Sequence, residues 1–92
     1  MTAVAPTRLE LFRAAGCAAC DAARGALKAA ALEEDADLVW HDVDVLDELD
    51  HAVELGVLTL PAIAIDGQLV FTSLPTPAEL RAALARYRTA RR

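Results

Sequence analysis

At 92 residues, 55% of them apolar, the chain has the length of one domain with a modest core. Much of that apolar fraction is alanine, so the core volume must come from Leu, Val, Ile, Phe and the single Trp40. A net charge of −5 argues against general nucleic-acid binding, which leaves a basic footprint, and no apolar run approaches the roughly 20 residues of a membrane span. Met1 to Pro6 lacks the basic and apolar segments of a secretory signal, so a soluble, cytoplasmic monomer is expected, one domain over 1–92 with its core over 8–87.

Thr2 to Thr7 reads as an extended lead-in. Arg8 to Arg13 alternates, Leu9 and Leu11 on one face and Glu10 and Phe12 on the other, and is too short for a helix before Ala14-Ala15-Gly16; it predicts a strand. From Cys17 to Glu34 the period becomes helical, carried by Ala18, Ala22, Ala26, Ala29, Ala30, Leu27 and Leu32, with Asp21 in the first turn. Gly25 weakens that helix slightly and marks either a close approach or a neutral position. Glu33 to Asp37 is an acidic break, and Leu38 to Val43 is a second strand. Asp44 to Leu55 returns to helical spacing with Leu46, Leu49, Ala52 and Val53 apolar, Asp44 or Asp47 as cap and Gly56 as terminator. Ala62 to Ile65, the turn signal Asp66-Gly67 and Gln68 to Thr72 form a hairpin. Thr76-Pro77-Ala78-Glu79 starts a last helix as a capping box with proline at its first position. Leu80, Ala83, Leu84 and Tyr87 give it an apolar face, and its end is expected to fray from Thr89. The basic end, Arg81, Arg86, Arg88, Arg91 and Arg92, complements the dipole of that helix. The order β-α-β-α-β-β-α, parallel strands joined by helices and then a hairpin, predicts an α/β fold: a mixed four-stranded sheet with helices on both faces.

Both cysteines lie in Gly16-Cys17-Ala18-Ala19-Cys20, at the start of the longest helix. Two thiols three positions apart on one helical turn suit a reversible disulfide, a metal clip or inert packing. A soft metal, Cu(I) or Zn, would draw on these thiols, with His41 and His51 as further ligands. Zinc sites built on one Cys pair pair it with closely spaced histidines, whereas these two are ten apart. Copper-carrying domains run β-α-β-β-α-β, and this chain does not.

With Leu60-Pro61 some forty residues after the cysteines and directly before the hairpin, the chain resembles the thioredoxin superfamily over Arg8 to Tyr87. Its short form looks most like glutaredoxins and the glutaredoxin-sized thioredoxins of prokaryotes. The resemblance implies a thioredoxin-like fold and a thiol-disulfide oxidoreductase acting on protein disulfides, without a bound cofactor and reset by a separate reductase. It implies that Pro61 is cis and faces the cysteines, and that Leu60 offers backbone hydrogen bonds to an extended substrate. A member that only holds peptides in the groove around Leu60-Pro61 is the other class the resemblance allows.

Several positions depart from the family. Gly16 stands where full thioredoxins have Trp, Ala18-Ala19 replaces Gly-Pro or Pro-Tyr, and Leu11 takes the place of a buried Asp. Glu10 is the neighbouring carboxylate and is expected to be partly exposed. Ser73-Leu74-Pro75-Thr76-Pro77 does not match the Gly-Gly and acid with which glutaredoxins bind glutathione, so glutathione is not expected as the dedicated partner. Unpaired N–H groups at the helix start favour a thiolate at Cys17, left accessible by Gly16, while Cys20, one turn in, keeps its proton longer. Cys17 is thus the expected nucleophile and Cys20 the resolving thiol.

Overall fold

A computed structural model describes residues 6–90 and, for 89 and 90, the backbone alone; the expected lead-in from Thr2 to Ala5, and Arg91 and Arg92, lie outside the described residues. Seven elements follow in order: β1 (Arg8–Arg13), α1 (Ala18–Glu34), β2 (Val39–Asp44), α2 (Leu49–Leu55), β3 (Ala62–Ile65), β4 (Gln68–Phe71) and α3 (Pro77–Ala90). The sheet order is β2-β1-β3-β4. β1 runs parallel to β2 and antiparallel to β3, and β3 runs antiparallel to β4. Only the first two strands are therefore a parallel pair joined by a helix; the third enters from the opposite direction.

β1 is the inner strand from which both layers are built. Its alternation places Leu9 and Leu11 on one face and Glu10 and Phe12 on the other, all buried. Leu9 and Leu11 join Ile63 and Ile65, Leu27 and Ala31 of α1, and Leu80, Ala83 and Leu84 of α3 in one cluster. Phe12 joins Val43, Ala52 of α2, Ala62 and Ala64 in the other. Helices therefore cover both faces, α1 and α3 on one and α2 on the other.

The buried stripe of α1 is Cys20, Leu27, Ala30 and Ala31, with Ala23 packed against the core. Ala18, Ala22, Ala26 and Ala29 are exposed, contrary to the alanine-based pattern. Alanine is indifferent to exposure, so the larger Leu27 and Cys20 set the face. Gly25 is exposed, and a Cβ there would meet open space. The hairpin turn has Asp66 and Gly67 both at positive φ, as a two-residue type I′ turn requires. Its Asp66 carboxylate accepts from the Arg8 N–H at 2.9 Å, tying the turn to the start of β1. At α3 the capping box forms in both directions: Glu79 N–H donates to Thr76 Oγ1 at 3.1 Å, and Thr76 N–H to Glu79 Oε1 at 2.8 Å. α3 extends to Ala90.

α2 is the element that departs most. It starts at Leu49, not Asp44, and its N-cap, Glu48, makes no side-chain capping bond. Asp44 instead closes the preceding turn: its carboxylate accepts from Leu46 N–H at 2.9 Å, and its carbonyl from Asp47 and Glu48 N–H. Gly56 ends the helix in the left-handed conformation, as expected. Leu46, Leu49 and Val53 do not pack; they are 75%, 54% and 67% exposed. α2 is held instead by Ala52, by half-buried Leu55 packed on the same cluster, and by His51, whose Nε2 lies 2.7 Å from the Glu10 carboxylate and whose ring stacks obliquely on Phe12.

Glu10 is thus buried, not partly exposed, because it shares a face with Phe12 under α2. His51 is its closest partner, with the Arg8 guanidinium 3.6 Å away. A buried carboxylate that loses its hydrogen-bond partner suffers the full desolvation penalty. His51→Ala is therefore expected to destabilise the fold by about 1–3 kcal/mol, read as a shift in the urea midpoint. Glu10→Gln in the His51→Ala background should recover part of that loss by removing the buried charge.

Candidate active site

The strand end, a turn and a helix start deliver the cysteines. After Arg13 the chain turns through Ala14 to Cys17, closed by the Cys17 N–H donating to the Ala14 carbonyl at 3.3 Å. Gly16 takes φ +79 in that turn, a conformation glycine adopts without strain. Cys17 is the N-cap of α1, and its Sγ accepts from the Cys20 N–H at 3.2 Å. Cys17 and Cys20 are joined as a disulfide with Cα atoms 5.3 Å apart. Cys17 is half-buried, whereas Cys20 is fully buried. One sulfur therefore faces solvent at the end of a helix, and the other is enclosed behind it.

The Leu60-Pro61 peptide bond is cis. Ala62 pairs with Phe12, and Pro61 directly precedes it, so the proline lies at the same sheet end from which Ala14 to Gly16 leads to the cysteines. Leu60 is 39% exposed, Pro61 is half-buried and Gly16 is exposed. Thr59 Oγ1 donates to the Thr72 carbonyl at 3.1 Å, holding the segment before the proline against the end of the hairpin.

Charged pairs that the sequence did not reveal surround the helix start. The Arg13 guanidinium reaches the Asp21 carboxylate at 3.3 Å, bridging the strand before the cysteines and the first turn after them. Arg24 binds Asp42 at 2.6 Å, and the Trp40 Nε1–H donates to the same carboxylate at 3.1 Å. Asp42 stands on β2 directly opposite Leu11. Burial pushes the Asp42 carboxyl up, but the hydrogen bonds from Arg24 and Trp40 and the charges of Arg24 and Arg13 outweigh it, leaving it below the usual carboxylate range. Glu10, on the opposite face from α1, is engaged by His51 and Arg8.

The histidines do not converge with the cysteines. His41 lies 3.5 Å from Glu48, and His51 is held by Glu10. Among the described residues no three His, Cys, Asp or Glu side chains are grouped to hold a metal ion. No helix among them is long and apolar enough to cross a membrane.

Residues 8–85 match the family model described as a thioredoxin domain. No curated protein sequence matches the chain significantly. Among solved structures the chain is similar to oxidized mitochondrial thioredoxin 3 from Saccharomyces cerevisiae, at 22% identity over 87% of this chain and 77% of that one, with a TM-score of 0.67. It is similar to a thioredoxin variant from Halobacterium salinarum, at 24% identity over 88% and 74% of the two chains and a TM-score of 0.72. Oxidised thioredoxin from Plasmodium falciparum shares 18% identity over 88% and 80%, with a TM-score of 0.68.

Asp42 provides a pH test of the helix anchoring. Its folded-state pKa is depressed, so its contribution to stability is fully present above the unfolded value of about 4 and is lost as pH falls through the folded value. Asp42→Asn should therefore melt below wild type near neutrality, and the gap should close in acid below about pH 4. Melting curves across this range check it. The Trp40 emission should follow the acid transition in wild type and not in the variant, because the indole donates to this carboxylate.

Proposed function

This chain belongs to the thioredoxin domain family, and we propose that it reduces disulfides in protein partners through a dithiol cycle of Cys17 and Cys20. A thiol-disulfide oxidoreductase is the general reading that family and cysteine pair support. The observation that carries the finer one is the difference between the two sulfurs: Cys17 caps the helix at the surface, and Cys20 is buried one turn in.

Thiol exchange requires a thiolate. Unpaired N–H groups at a helix start and the helix dipole favour the anion, and the Cys20 N–H already points at Cys17 Sγ. In the reduced protein the Cys17 thiolate attacks one sulfur of a partner disulfide. A mixed disulfide forms, and the other partner sulfur leaves as a thiolate and takes up a proton. Cys20 then loses its proton and attacks Cys17 Sγ. The second partner sulfur leaves, and the Cys17–Cys20 disulfide remains, two electrons having passed to the partner. A separate reductase returns them. Ala18 and Ala19 bring no charge to the pair, so the helix start supplies most of the thiolate stabilisation. Gly16, Leu60 and Pro61 form the rim against which an extended partner segment lies, Leu60 through its backbone. The protein works as a soluble monomer without a bound cofactor and without dedicated use of glutathione.

Insulin reduction driven by dithiothreitol tests the cycle. Cys17→Ser should lower the rate to that of the cysteine-free protein. Cys20→Ser should accumulate a mixed disulfide with the substrate, visible by non-reducing electrophoresis and mass. Full turnover in both single variants excludes the assignment.

A further inference from the structure

The connection from β2 to β3 concentrates exposed apolar side chains. Leu46, Leu49, Val53 and Leu58 are 75%, 54%, 67% and 93% exposed. Leu49 and Val53 lie one turn apart on α2, on the side left free by buried Ala52 and by His51, and Leu46 precedes them in the turn over 45–48. An open groove of about 430 Å³ runs along the start of this segment, lined by Leu46, Asp47, Glu48, Leu49, Asp50 and His51.

The same connection is acidic. No Lys or Arg occurs between Lys28 and Arg81. Asp44 is used to close its turn, and Glu48 faces His41. Asp47, Asp50 and Glu54 enter none of the ion pairs found among the described residues. Their field is therefore not cancelled by a neighbouring cation, and they are interleaved with the exposed Leu49 and Val53.

Both ends of this connection meet the disulfide end of the sheet. Asp44 pairs with Arg13, and Ala62 pairs with Phe12, at the end of β1 that leads to Cys17. A partner seated on α2 would hold its own disulfide at that end.

We propose that the exposed face of α2 and of the turn before it, Leu46, Leu49 and Val53 with Asp47, Asp50 and Glu54, is a docking surface for protein partners whose disulfide is flanked by apolar and cationic side chains. Leucines without a covering element favour an apolar counterpart. Three uncompensated carboxylates select Lys and Arg around it, and repel nucleic acid and anionic lipid. The partner class deepens the oxidoreductase reading and rests on it for the reduction arm of the test, whereas the binding arm is independent.

Two peptide dimers, each linked by a single disulfide and identical except for Leu/Lys or Leu/Glu flanks, serve as probes. The reduced chain should reduce the Leu/Lys dimer with kcat/KM about tenfold or more above the Leu/Glu dimer. The preference should shrink as salt rises to about 0.5 M. Asp47→Lys with Asp50→Lys and Glu54→Lys should abolish or invert it, and Leu49→Ser with Val53→Ser should raise KM for the Leu/Lys dimer. In the binding arm, a cysteine-free Leu/Lys peptide should bind the oxidised chain in a salt-sensitive manner by fluorescence anisotropy, and a Leu/Glu peptide should not. Equal rates and equal binding for the two peptide types overturn the proposal, as does a preference that survives charge reversal. A wild-type dimer in sedimentation that the Leu49→Ser/Val53→Ser variant dissolves also overturns it, because a second copy then covers the face. If neither dimer is reduced while the Leu/Lys peptide still binds selectively, the oxidoreductase reading fails and the docking surface stands.

Discussion

Burial of β1 on both faces is the constraint from which the rest of the molecule follows. A strand hydrogen-bonded on each side and covered above and below has no solvent-facing row, so each residue is committed to one layer. Leu9 and Leu11 commit α1 and α3 to one face, and Phe12 commits α2 to the other. Glu10 falls in the second layer by alternation alone, and a carboxylate there must find a partner. His51 supplies it, and α2 is thereby fastened to the sheet by one polar contact beside a small apolar cluster. The end of the same strand determines where the cysteines emerge.

That emergence separates two sulfurs of the same type. A residue at an N-cap has its side chain beside the free N–H groups of the first turn, and a residue three positions on turns toward the sheet. Cys17 takes the role that Ser, Thr or Asp fill at other helix starts, its sulfur accepting from the Cys20 N–H. Cys20 shares its stripe with Leu27, Ala30 and Ala31, which ties it to the core. The asymmetry needed for attack and resolution thus comes from helix geometry, without a charged residue between the cysteines.

Elements marked by local chemistry were legible in the sequence. The alternation of Arg8 to Arg13, the Asp66-Gly67 turn, the Thr76/Glu79 box and the Gly56 terminator each act over a few residues, and each is found where it was expected. Leu60-Pro61 became informative only in combination with the cysteines. What was not legible depended on contacts across the fold. Leu46, Leu49 and Val53 have the spacing of a buried helix face, yet Asp44 draws the chain into a turn and shortens the helix, leaving them outside. Glu10 looks like a solvent-facing residue until the layer above it is known. Asp42 with Arg24 and Trp40, and Arg13 with Asp21, join elements far apart in sequence or across the active-site turn, and no spacing rule announces them.

The distribution of charge separates the cysteine end from the rest of the surface. Around the helix start, carboxylates are neutralised in place, Asp21 by Arg13 and Asp42 by Arg24, while Glu10, on the far face, lies against His51 and Arg8. Leu11 is buried and apolar, so the carboxylate of the sheet beneath α1 at this level is Asp42, which is paired with Arg24. A thiolate at Cys17 therefore forms against little opposing charge, and the N–H groups of α1 can act on it undiminished. Asp47, in the turn before α2, and Asp50 and Glu54, on the helix, enter none of the ion pairs among the described residues, so they do not hold the fold by pairing. Their mutual repulsion opposes the folded state, most strongly at low salt. A turn and short helix that combine such repulsion with exposed Leu46, Leu49 and Val53 are poorly explained by stability alone and are better explained by a surface that is completed when a cationic, apolar partner sits on it.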